Sequence, residues 1–246
     1  MCYRAWSIED TYHLSMCGRF VITSAPDAIR RLLRYEEQPN FPPRYNVAPT
    51  QPIPIVRLDH HGMRRFALVR WGLIPSWVKD PKRFSLLINA RLEGIENRPA
   101  FRAAVIRRRC LIPADGFYEW KKEGKAKRPY FIRARDKQPF AFAGLWETWF
   151  DRDGGEVETA AIVVCPPNAT VAPIHDRMPA IVAPENFDVW LNVETVDAQR
   201  AAALLGPAPD DYLEAYEISS RVNKYTNDDP ENIAPVDLPL GEHAKR

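Results

Sequence analysis

No run of the chain is apolar for long enough to cross a bilayer as a helix, so a helical membrane protein is excluded. The first fifteen residues, MCYRAWSIEDTYHLS, have neither a basic start nor an apolar stretch, and they do not read as a signal peptide. A cytoplasmic protein is therefore expected. An excess of charge of one sign is also lacking. A net charge of +2 is too small to argue by itself for a polyanionic partner. Cysteine is sparse: the four lie at positions 2, 17, 110 and 165, with no CxxC spacing and no histidine at a zinc-ligand interval. Neither a zinc site nor a disulfide framework follows from such spacing, and no cofactor is expected. There is no internal repeat and no low-complexity linker.

Glycine is scarce too, 11 residues against 23 prolines in a chain of 246. Proline interrupts helices and central strands alike, so many short strands and ordered loops are expected. Apolar and β-branched runs predict strands at 19–23, 53–58, 64–72, 109–113, 116–121, 129–135, 140–147, 159–165 and 180–183. The stretch GFYEWKKEGKAKRPYFIRA reads as a hairpin with a charged loop around Gly124. Helices are predicted over 26–37, which opens on Pro26, over 184–192, and over 196–206, which closes at Gly206. The class is α+β: one β-rich domain with a mostly antiparallel, barrel-like sheet and a few peripheral helices. Two basic runs, Arg107–Arg109 and the lysines with Arg128 in 121–128, read as solvated faces. The polar stretch after about Asp228 reads as a loose tail.

Five stretches put polar residues into apolar surroundings: MCGRF (16–20), RYNVAPTQ (44–51), WGLIPSW with INARLE (71–77 and 88–93), PADGFYEW (113–120) and APIHDRMP (172–179). Cys110 and Cys165 lie in strand-like apolar runs and read as small buried hydrophobes. Cys17, beside Gly18 and Arg19, does not. If Cys17 is the first residue of the working protein, it carries a free α-amine and a thiol on adjacent carbons. Glu119 among aromatics is open to two readings, a desolvated carboxylate suited to proton transfer or a surface partner of Lys121 or Lys122. His175 alone reads as a satisfied loop histidine. Asn89 and Arg91 alternate with Ala90, so as a strand they share one face. Tryptophans near arginines can be core, or a stacking platform for single-stranded nucleic acid.

Taken in order, MCGRF, RYNVAP, WGLIPSW, INARLE, ADGFYEW and IHDRMP resemble the SRAP family, named for SOS response-associated peptidases. The resemblance runs from Met16 to roughly residue 225. It implies a β-rich single domain that senses abasic sites in single-stranded DNA and links itself to them covalently. It further implies Cys17 as nucleophile with Asn89, Glu119 and His175 beside it. Arg19, Asn46, Trp77, Arg91 and Arg177 would meet the DNA. A monomer is expected, acting in the cytoplasm and on the nucleoid when bound to DNA. Family members begin at the MCGRF methionine. The expected organisation is therefore an extension at 1–16 absent from the mature protein, a domain at 17–228 and a polar tail at 229–246. A cysteine peptidase that exposes Cys17 by self-cleavage, and a non-covalent single-strand binder, are the rival readings.

Overall fold

The computed structural model describes residues 17–236; the expected N-terminal extension and the last ten residues lie outside that span. Two sheets organise the fold. The larger is built on β3 (Pro52–Leu58), β4 (Arg64–Trp71), β6 (Arg109–Ala114), β9 (Phe140–Phe150) and β10 (Glu156–Cys165). Going round, β10 pairs with β4, β4 with β3, β3 with β6, β6 with β9, and β9 again with β10, which closes a five-stranded barrel. Only the β10–β4 contact in that ring is parallel. The smaller sheet is antiparallel, in the order β13 (Leu213–Glu217), β8 (Ala126–Ala134), β7 (Gly116–Glu123), β1 (Phe20–Ile22), β2 (Arg44–Val47). The short strands β5 (Asn89–Arg91) and β11 (Met178–Pro179) both pair with the end of β10, and β12 (Ile181–Val182) pairs with β9. The expected α+β class, with a mostly antiparallel barrel, is the fold found.

Side-chain chemistry explains the closure. Every residue of β6 is buried, and most of β9 as well. Gly144 lies opposite Cys110 where these strands pair. A β-carbon on Gly144 would sit 2.7 Å from the Cys110 sulfur and 2.8 Å from the Ile112 side chain, so the strands close only over glycine. The predicted hairpin is present as β7–β8, with Glu123 paired to Ala126 around Gly124 at φ 60°.

Among the described residues four α-helices lie at the periphery: α1 (Pro26–Leu33), α2 (Arg102–Arg107), α3 (Phe187–Leu191) and α4 (Ala198–Ala203). α1 stops short of the expected residue 37 because Arg34 turns left-handed, at φ 55°. The expectation for the first basic run needs correction. Arg107 ends α2, but Arg109 is 1% exposed and donates to the carbonyls of Val105, Trp190, Asn192 and Val196. Burial lowers its pKa to about 10. It is an interior staple between β6 and α3, not a solvated face.

The stretch expected to be a loose tail begins as part of the domain. Asn232 is fully buried, the Tyr216 hydroxyl donates to the Ile233 carbonyl, and Ile218 bridges to Pro235.

Candidate active site

Cys17 leads directly into β1, and β1 lies against β7 with Phe20 opposite Phe117. The Tyr118 amide donates to the Arg19 carbonyl, which extends the pairing toward Cys17. Alternation along β7 then decides where Glu119 points. Tyr118 enters a small cluster with Val21 and Phe131, while Phe117 belongs to the main core. Glu119, two residues on, follows Phe117 inward and is 2% exposed. Of the two readings open to this residue, burial removes the surface partner.

Glu119 Oε1 receives both polar groups of Cys17. The backbone nitrogen lies 2.7 Å from it and Sγ 2.8 Å. Burial raises the carboxyl pKa, and His175 together with the Cys17 bonds only partly opposes this. The thiol is pushed well above its ordinary value, by burial first and by the Glu119 charge second. His175 Nε2 stands 4.0 Å from Glu119 Oε2. Its Nδ1 accepts the Arg177 amide at 3.1 Å, and the Asp176 carboxylate lies at the same distance from that nitrogen. Nδ1 cannot accept one and donate to the other. The amide bond governs, because Asp176 is solvent-exposed, and Nε2 is the ring nitrogen left facing Glu119.

The rest of the site assembles along the end of β10. Asn89 pairs in register with Ile162 and Arg91 with Val164, while Met178 pairs with Cys165. Arg177 Nη1 is 2.6 Å from Glu93 Oε1, which joins the INARLE and IHDRMP stretches. Ala90 is buried, Asn89 half-buried and Arg91 exposed, as the alternation requires. Trp77 is 58% exposed and meets Phe84 edge-on with ring centroids 5.5 Å apart.

Arg19 and Asn46 do not join this group. Asn46 is fully buried, with its amide donating to the carbonyls of Val222, Lys224 and Asn227. Its Oδ1 accepts from Arg19, which also donates to Val222 and Asn223. Burial lowers the Arg19 pKa. The expected contact of these two residues with DNA is corrected to a latch between β1, β2 and the 222–227 turn. Asp228, which no sequence pattern singled out, completes the latch. It accepts from the Tyr45 and Asn46 amides and from Arg44. Among the described residues, no three His, Cys, Asp or Glu side chains converge to hold a metal ion.

A closed barrel flanked by a smaller sheet, with a buried cysteine ahead of β1 bonded to a desolvated glutamate and a histidine nearby, defines the class: a β-rich domain with a buried Cys–Glu–His cluster. A model of the SOS response associated peptidase (SRAP) family matches residues 16–225, and the chain belongs to that family. The abasic site processing protein YoqW of Bacillus subtilis is 41% identical over 222 residues, which cover 89% of this chain and 99% of its own. The abasic site processing protein YedK of Escherichia coli is 33% identical over 229 residues, 90% of this chain and all of its own. A crystal structure of a Bacteroides thetaiotaomicron protein superposes with a TM-score of 0.79 at 29% identity, covering 89% of this chain and 99% of that one.

Proposed function

We propose that the chain processes abasic sites in single-stranded DNA by bonding to them through Cys17. The names of its relatives support the substrate. The observation that carries the chemistry is that the nitrogen and the sulfur of one residue both face the same carboxylate oxygen, at 2.7 and 2.8 Å.

An abasic site exists in part as a ring-opened aldehyde at C1′. The α-amine of an N-terminal Cys17 adds to C1′, and loss of water leaves an imine. The thiol then adds to the imine carbon while nitrogen takes up the proton. The ring formed holds S, Cβ, Cα, N and C1′, a thiazolidine. The second step is intramolecular, where effective molarities reach about 10⁵ M or more. Glu119 takes an amine proton and returns it to the departing hydroxyl, then takes the thiol proton and passes it to the ring nitrogen, for which a raised carboxyl pKa suits it. His175, through Nε2, serves the sugar oxygen. Asn89 orients the aldehyde, and Trp77, Arg91 and Arg177 hold the flanking strand.

In the chain as written the Cys17 nitrogen is an amide bonded to Met16, with its lone pair delocalised. The reaction therefore requires loss of residues 1–16. The peptidase reading leaves unexplained why the Cys17 nitrogen shares the Glu119 oxygen with the thiol, because a peptidase nucleophile uses only its sulfur.

Incubating protein that begins at Cys17 with abasic and intact oligonucleotides, then running a denaturing gel, tests the proposal. A denaturation-resistant band is expected with abasic DNA alone, and none from Cys17→Ala. An equal yield from a protein whose measured mass retains residues 1–16 would refute the aminothiol chemistry.

A further inference from the structure

Beside the Cys17–Glu119 pair lies a concavity of about 420 Å³, within the size range of small-ligand clefts. Its floor is the face of the smaller sheet that carries Glu119. Tyr130 is the cross-strand partner of Glu119, and Lys121 follows Glu119 by two residues on the same side. Directly opposed positions place their β-carbons about 5 Å apart, so the cleft begins one side chain from the carboxylate. Ala215 continues the floor. Pro173 and Ile174, immediately before His175, form the wall.

The chemistry of this lining is mixed in a particular way. Tyr130, Pro173, Ile174 and Ala215 supply apolar surface that includes one aromatic ring, with Thr170 among them. Lys121 and Arg135 bring positive charge to its margin. Lys121 is 3.2 Å from Glu123, but both side chains are more than a third exposed, so that pair yields easily to a stronger anion. The Arg135 side chain has no partner among the described residues. The one carboxylate in the lining, Glu214, is 2.8 Å from Arg133 and so carries little free charge. An aromatic platform edged by cations fits a base attached to a phosphate.

We propose that this cleft holds the nucleotide adjacent to the abasic one, with its base against Tyr130 and its phosphate between Lys121 and Arg135. The proposal rests on the reading of the site as one that acts on single-stranded DNA. The abasic residue has no base of its own, so a neighbouring base seated here would fix the register of the strand over Cys17.

The test pairs truncated oligonucleotides with variants and reads the second-order rate of crosslinking. In one oligonucleotide the abasic site lacks its 5′ neighbour, and in another its 3′ neighbour. With the unaltered site, one truncation is expected to slow the reaction on the order of tenfold to a hundredfold, the range for one stacked base. In Lys121→Ala/Arg135→Ala the full-length substrate should already be slow, and that same truncation should cost little more. Both cations are on the surface, so the double variant should keep its melting temperature. Additive effects of variant and truncation on both sides would overturn the subsite. Absence of crosslinking with every oligonucleotide would instead overturn the function on which it rests.

Discussion

Replacing Glu119 with glutamine separates two effects that the geometry superimposes. The carboxylate accepts from both the nitrogen and the sulfur of Cys17, and its charge helps keep the thiol protonated. Glutamine keeps the shape and one acceptor oxygen but has no charge and takes no proton. The thiol pKa of the variant should therefore fall, giving more thiolate at any given pH. If the charge acted only to restrain the thiol, the variant would crosslink faster. If Glu119 transfers protons, the variant should be slower by about 10²-fold or more. That factor corresponds to about 2.7 kcal/mol of barrier, similar to one hydrogen bond to a charged group. Single-turnover crosslinking on denaturing gels, with thiolate absorbance followed across the same pH range, measures both quantities. A variant that crosslinks as fast as the parent, or faster, refutes proton transfer. Stability supplies an independent check. A carboxyl whose pKa is raised on folding holds its proton more tightly in the folded state, so the parent loses stability as pH rises above the ordinary value of 4.5. Glutamine lacks that loss, and the stability of the variant relative to the parent should increase between acid and neutral pH.

Asn46→Ala should lower stability by about 2–4 kcal/mol in denaturant titrations, because it strands Arg19 and several carbonyls, while the salt dependence of DNA binding stays unchanged. Arg91→Ala should reduce the slope of log K against log salt by about 0.7, as loss of one phosphate contact on a single strand requires. An unchanged slope would mean that Arg91 makes no ionic contact with DNA. Trp77→Ala should weaken single-strand binding by about 1–3 kcal/mol in fluorescence titrations yet leave the melting temperature alone, since the ring is mostly exposed.

Strands with dense apolar runs were legible in the sequence, and β3, β4, β6, β9 and β10 stand within a few residues of where patterning puts them. The strands that patterning missed are short or polar. β11 is two residues long, and LEAYE in β13 owes its pairing to β8, not to its own propensity. The roles of the arginines were the least legible. Arg19, Arg91, Arg109 and Arg177 look alike in sequence, yet they range from almost fully buried to exposed, and only long-range contacts decide it. Asn46 is the same case: RYNVAP marks it as special, but only the fold shows that its partners lie at 222–227. Glu119 was undecided from its neighbours until the pairing of β7 with β1 fixed the face it occupies.

The latch on Arg19 imposes an order in time. Arg19 and the Val222 carbonyl it bonds are 203 residues apart. At roughly 5–20 residues per second, the ribosome needs about 10–40 s to make the second after the first. During that interval the strand that follows Cys17 has neither the 222–227 turn nor the Asp228 carboxylate to hold it. The segment that carries Cys17 is thus synthesised well before the residues that frame it. A chain that stops before the turn carries the cysteine without its latch, and a nascent chain does not complete the site before nearly the whole domain has been synthesised.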